Sequence, residues 1–187
     1  MLQPKPGPAL LLNLTFYWKP MNRKLILYIA TSVDGFIAGP DDDLGFLSTV
    51  DKPGEDYGYG AFIDTVDTVI LGRRTYDWVM KHVNTFPHAD KESYIITRTP
   101  RPAIGNINFY TGDLTALVSR LKQKAGKNIF CDGGAEVVHA LLKENLIDEL
   151  IISIVPVLLG GGTRSVSYTH LRAHETDSYL VCRLLLE

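Results

Sequence analysis

Cysteine is nearly missing from this chain: Cys131 and Cys182 are the two in 187 residues. That usage offers neither a disulfide framework nor a zinc spacing, and it suits a reducing, cytoplasmic compartment. Surplus charge is missing too. Nineteen Lys and Arg against 21 Asp and Glu leave a net charge of −2. There is no global basic field to attract nucleic acid or an acidic membrane, so any anion site has to be local. Long apolar runs are absent as well. The N-terminal "PALLLNLTFYW" is shorter than the roughly 20 residues that cross a bilayer, and it lacks a signal peptide's basic flank and small-residue cleavage site. Neither G-x-G-x-x-G nor G-x-x-x-x-G-K-[ST] occurs, which removes two common nucleotide-binding folds. Repeats and low-complexity tracts are lacking between positions 24 and 164.

What is present is an alternation of apolar β-rich runs with helical patterns. "KLILYIA", "DTVIL", "SYIIT", "INFY", "NIFC" and the long "ELIISIVPVLL" read as strands, and their near-continuous hydrophobicity predicts burial on both faces. Asp113 is placed to N-cap "LTALVSRLKQKAG", a helix with Leu114, Leu117, Val118 and Leu121 on one side and a stop at Gly126. "GAEVVHALLKEN" repeats that pattern and ends near Asn145, while "DYGYGAFIDTV" is a weaker helix with two glycines. The expectation is one α/β domain around a central, mostly parallel sheet flanked by helices.

Such sheets bind ligands beyond the carboxyl ends of their strands, and three unusual corners fall there. In "NIFCDGGAEVV" a strand runs through Asp132, Gly133 and Gly134 straight into a helix beginning at Ala135. Paired glycines admit a close ligand, and free N–H groups at a helix start favour an anion; the plain alternative is a tight turn. In "LGRRT", Gly72 is followed by Arg73, Arg74 and Thr75 at another helix start. Arginine there opposes the helix dipole, a cost that a bound phosphate would offset through forked hydrogen bonds. Thr97 and Arg98 follow a third strand. Three such corners together point to an extended phosphorylated cofactor.

Other candidates have plainer readings. Glu55 and Asp56 precede a helix and would cap it; Asp41, Asp42 and Asp43 read as a solvated loop. "PVLLGGGT" is a turn or a mobile loop, with the turn as the default. His82, His88 and His139 have no ligand spacing around them and are assigned to surface or helix packing; no metal site is expected.

Taken in order, "YIATSVDGFIAG", "VILGRRTYD", "YIITRTP" and "IFCDGGAEVVHALLKENLIDELIISIVPVLLGGGTR" resemble the reductase domain of the riboflavin-biosynthesis deaminase-reductase, over positions 24–164. The resemblance implies a dihydrofolate reductase-like fold and an NADPH-dependent reductase acting on a small heterocycle of pterin or aminouracil type. Ala30 and the segment near Ser153 would face the nicotinamide. Gly72, Arg73, Arg74 and Thr75, joined by Thr97 and Arg98, would hold the pyrophosphate and 2′-phosphate, with Gly133, Gly134 and Ala135 against the pyrophosphate. Counting back from the "GR" glycine places Asp56 where the family has a substrate-binding acid. Dihydrofolate reduction itself, or a non-catalytic nucleotide-binding protein, are the competing readings; no nucleic-acid or membrane partner is implied, and a homodimer is left open. The deaminase half, with its H-x-E and P-C-x-x-C motifs, does not occur.

Both ends of the chain read differently from its middle. Met21 is expected as the natural start, with 1–20 a non-native or disordered leader and 21–164 the truncated domain. Positions 166–176 resemble one reading frame of a transposon-end sequencing adapter and 180–187 the adjoining flow-cell primer, so 165–187 is expected to be an adapter-derived tail. "HLRAH", with His170 and His174, receives no functional weight on that account. The resemblance places further strands after "GGGTR"; with these C-terminal strands missing, the chain is expected to be destabilised or inactive.

Overall fold

The computed structural model describes residues 23–164 and the backbone of 179–184. The expected leader at 1–20, Met21 as a start, and most of the expected tail, including His170 and His174, lie outside the described residues. Seven strands form the main sheet: β1 (Leu25–Ser32), β3 (Val66–Gly72), β4 (Glu92–Ile96), β5 (Ile107–Tyr110), β6 (Asn128–Gly133), β7 (Glu149–Val155) and β9 (Tyr179–Leu184). Their order is β5-β4-β3-β6-β1-β7-β9, and every neighbouring pair is parallel. A small antiparallel pair, β2 (Phe36–Ala38) and β8 (Thr163–Arg164), stands apart from it. The helices are α1 (Tyr59–Ile63), α2 (Arg73–His82), α3 (Leu114–Gln123) and α4 (Ala135–Lys143). Among the described residues, no helix is long and apolar enough to cross a membrane.

Both faces of the sheet are covered, which is why its strands are apolar almost throughout. On one face Leu25, Leu27, Ile70, Ile129 and Cys131 pack under α3 and α4 through Leu117, Leu121, Val138 and Leu141. On the other, Ile26, Val69, Leu71, Ile95, Phe130 and Ile151 meet Phe62 of α1 and Tyr76 of α2. Burial of each Leu, Ile or Phe stabilises by about 1.5–3 kcal/mol, so β1, β3 and β6 at the centre form the rigid part of the scaffold.

Local chemistry accounts for most element ends. Asp113 accepts the Ala116 N–H at 2.7 Å and caps α3 as its position in the sequence predicts. Asn145 takes a left-handed conformation just past α4. Two ends differ from expectation. The last long apolar run stops at Val155, because Pro156 has no N–H with which to continue the ladder. Helix α3 ends at Gln123, where extended Lys124 closes it before Gly126 is reached. At the far edge, residues 179–184, a stretch the sequence set aside as adapter-like, pair in parallel with β7 from Glu149↔Tyr179 to Ile154↔Leu184.

The topology also locates a crevice. From β1 the chain moves toward the β5 edge, and only later returns through β6 to sit between β3 and β1 before moving to β7. Connections leaving neighbouring central strands therefore diverge, which opens the carboxyl end of the sheet.

Candidate functional site

Two strand-to-helix corners meet at that carboxyl end. Gly72 ends β3 and caps α2, while Gly133 ends β6 and Gly134 caps α4. The strand register aligns Leu71 with Gly133 and so brings the corners side by side. A Cβ on Gly134 would stand 3.0 Å from Thr75 Oγ1 and 3.4 Å from the Gly72 Cα, and Gly134 holds a positive φ of 79°. No larger residue fits without displacement. Unlike α3, neither α2 nor α4 has a side-chain cap at its start. Two adjoining helix N-termini thus present amide groups without side-chain partners, an arrangement that favours an anion.

Basic side chains surround these corners and differ in availability. Arg73 pairs with Asp77 one turn along α2 at 3.0 Å, and Asp77 also takes Arg101 at 3.2 Å. Arg74 has 77% of its side chain exposed and reaches Asp42 at 3.6 Å. Arg98, 98% exposed, leans toward Glu136 in the first turn of α4 at 3.9 Å. It follows buried Thr97, whose hydroxyl takes the Thr99 N–H at 3.1 Å and shapes the loop. Exposed pairs of this kind contribute little to stability, about 0–1 kcal/mol. They leave two guanidinium groups ready to exchange a carboxylate for a phosphate. A cavity of about 480 Å³ opens beside Arg74, lined by Gly39, Pro40, Asp41, Asp42, Gly162 and Thr163.

Two further positions singled out from the sequence lie on β1 and β7. Ala30 and Ser153 are direct register partners, and Ser153 is buried. Just beyond them, Asp34 ties two distant segments together. Its carboxylate accepts the Ser32 hydroxyl at 2.7 Å and the N–H groups of Leu159 and Gly160 at 3.1 and 2.7 Å. The Ser32 hydrogen bond, followed by those backbone donors, lowers the Asp34 pKa to about 2. "PVLLGGGT" is therefore a pinned turn. Gly162 packs so closely on the backbone of Ala38 and Gly39 that a Cβ has no room.

Gly72, Arg73, Arg74 and Thr75, Thr97 and Arg98, and Gly133, Gly134 and Ala135 all follow the carboxyl ends of β3, β4 and β6, at one end of the sheet. Asp56 stands differently. It is exposed at the start of α1, and its two oxygens accept the N–H groups of Gly58 and Gly60 at 2.7 and 3.0 Å, the capping geometry that its position allows. Asp42, expected in a solvated loop, is exposed and touches Arg74.

A polar cluster on the α1 side of the sheet went unrecognised. His88 is neither on the surface nor on a helix. It lies in the loop before β4, 6% exposed, with its ring edge-on to Phe86 and Phe130. Its Nε2 is 3.3 Å from the Asp132 carboxylate. Tyr59 lies nearby; burial, then the Asp132 charge, pushes its phenol up to about 12, so it remains a protonated donor. Tyr28 packs edge-on against Tyr59 at 5.6 Å. The acid immediately before "GG" was the available signal. His88 had none, since 44 positions separate it from Asp132.

Among the described residues, no group of three or more His, Cys, Asp and Glu is arranged to hold a metal. A dinucleotide fits the donors present. The two helix starts carry amides without side-chain caps that can meet a pyrophosphate, and exposed guanidinium groups flank them.

Comparison with known proteins agrees with this architecture. Two Bacillus subtilis (strain 168) proteins without a characterised activity are similar in sequence. YwjB is 45% identical over 143 residues, covering 76% of this chain and 82% of its own. YyaP is 30% identical over 151 residues, covering 75% and 78%. Among solved structures, a Shewanella sp. PV-4 protein named for riboflavin biosynthesis superposes with a TM-score of 0.70 at 32% identity, covering 77% of this chain and 83% of its own. Dihydrofolate reductase from Enterococcus faecalis, complexed with NADP(H), shares the fold with a TM-score of 0.54 at 18% identity, over 78% and 79%. The family model described as RibD C-terminal domain matches residues 23–184, and with the parallel sheet and its paired glycine corners this chain belongs to that family.

Proposed function

We propose that the protein is an NADPH-dependent reductase of a small heterocycle of pterin or aminouracil type. The observation that carries this reading is the contact between the Gly72 and Gly134 corners, which sets two uncapped helix starts against each other with Arg74 and Arg98 beside them. The family and the NADP(H) complex of a protein of the same fold support it.

NADPH bound there would supply a hydride to an imine or carbonyl carbon of the substrate, whose heteroatom takes up a proton. This chain's residues do the holding. Amides at the starts of α2 and α4, with Gly133 and Ala135, receive the pyrophosphate, and Arg74 with Arg98 takes the 2′-phosphate end. Arg73, already joined to Asp77, supports Arg74 from the same turn. Ala30 and Ser153 form a flat floor for the nicotinamide, and the Asp34-pinned turn shields it from water. Asp56, at the start of α1, would serve as the substrate-side acid.

The experiment is a fluorescence titration with NADPH and NADH, followed by a panel of pterins and aminouracils. Micromolar NADPH binding with oxidation by one panel member is expected. Binding without oxidation of NADPH by any of them would instead identify a nucleotide-binding protein on a reductase fold. Absence of NADPH binding would sink the proposal.

A further inference from the structure

We propose that His88 is a positioning residue that clamps Asp132, making its carboxylate a fixed acceptor for an N–H-bearing ring on the α1 side of the sheet. The inference rests on the reductase reading for the identity of that ring and goes beyond it in naming the polar group that would meet it.

Three observations converge. First, the β3–β6 register runs Ile70↔Cys131 and then Leu71↔Gly133, so Asp132 is the extra residue at an irregularity. Such a slip re-aims a side chain, and here it delivers a carboxylate to the end of a central strand, beside His88 and near enough to Tyr59 to act on its phenol. Second, the carboxylate is held from behind. The His88 side chain is 7% exposed and that of Asp132 30%, so the imidazole fills the closed side and the acid keeps the open one. The His88 ring is fixed by edge contacts to Phe86 and Phe130 at 5.4 and 5.8 Å, and its loop by turns from Ala89 to Phe86 and Lys91 to His88. Third, β1 runs beside β6 with Leu27 opposite Cys131, which sets Tyr28 alongside Asp132 and places Ala30 two residues further toward the floor. A substrate ring stacked on a nicotinamide that Ala30 and Ser153 support would meet this acid at its edge.

A fixed carboxylate selects its ligand by chemistry. It accepts hydrogen bonds and donates none when ionised, so it favours a heterocycle with neighbouring ring and exocyclic N–H groups and rejects one whose nitrogens are alkylated. Tyr59, kept protonated, adds a donor for a ring carbonyl on the same side.

The test titrates pterin against 1,3-dimethyllumazine, which has no N–H donor, on the full chain with and without saturating NADPH. Wild type is expected to prefer pterin at least tenfold, and Asp132→Asn to lose that preference. His88→Leu should reduce it fivefold or more, while His88→Gln, which retains an N–H donor, restores most of it; NADPH affinity stays unchanged in both His88 variants. In the wild type, the ¹⁵N resonances of the His88 imidazole should shift on pterin saturation, a readout independent of whether any variant folds. Equal preference in wild type and His88→Leu, no preference in wild type, or unmoved imidazole resonances would each overturn the clamp. Failure of NADPH to bind would remove the reductase reading alone, since the cofactor-free titration still decides this one.

Discussion

The two ends of the parallel sheet use the same residue types for opposite purposes. At the amino end, Arg23 has a side chain only 2% exposed and donates to Lys127 O, Leu121 O and Thr68 Oγ1 at 2.5, 3.3 and 2.6 Å, as well as to the Asp67 carboxylate. Asp67 in turn takes the Lys127 N–H, and Asp148 takes the Leu25 N–H, each at 2.7 Å. Each guanidinium nitrogen of Arg23 has a protein acceptor. At the carboxyl end, Arg74 and Arg98 are mostly exposed, their carboxylate partners stand at 3.6 and 3.9 Å, and the helix starts carry no caps. A guanidinium surrounded by acceptors holds the fold together; one left exposed, with its carboxylate at long range, contributes little to it.

That contrast breaks first at the amino end. Asp67→Ala leaves the Arg23 guanidinium buried without its carboxylate, and a loss of about 3–5 kcal/mol is expected from urea unfolding. A loss under 1 kcal/mol would erase the distinction between the two ends. Arg74→Ala is the converse. It should change stability by no more than about 0.5 kcal/mol yet weaken NADPH by about 10- to 100-fold, the worth of a charge-assisted phosphate contact, with NADH much less affected. Parallel losses for both cofactors in the titration would contradict the 2′-phosphate assignment.

Smaller effects sharpen the comparison. Gly134→Ala places a Cβ 3.0 Å from Thr75 Oγ1 at a positive φ, so we expect a loss of about 1 kcal/mol and weaker binding of both cofactors, measured by thermal unfolding and titration. Unchanged binding of both would show that the corner is merely a turn. The smallest effect concerns Asp34, whose carboxyl the Ser32 hydroxyl and the backbone N–H groups hold down at about 2, below its ordinary 3.8. A depressed carboxyl pKa contributes stability above the unfolded value and loses it as pH falls through the folded one. Wild type should therefore lose this contribution between about pH 4 and pH 2. Asp34→Asn, compared by unfolding across that window, should lack that part of the acid sensitivity; identical pH profiles would contradict the role given to the carboxylate.

Much of the fold was legible in the residues because its causes are local. Apolar runs marked the strands, Asp113 marked the start of α3, and glycine after a strand marked both corners. Distance along the chain hid the rest. Asp34 reads as part of a turn, yet its carboxylate holds Gly160, 126 positions away. His88 reads as a loop residue, and only the packing of its loop on Phe130 brings it to Asp132. Pro156 did carry a readable signal, a missing N–H that ends β7 within an otherwise continuous apolar run.

Taken alone, the amino-acid order determined the α/β alternation, the helix starts and the chemical character of the corners, since propensity, capping and glycine's freedom act over a few neighbouring residues. Tertiary structure decided which corners touch, which arginines remain exposed, and which distant partners Asp34 and Asp132 meet. Those outcomes depend on strand order and on side chains brought together from distant positions, where burial and exact register set the energies.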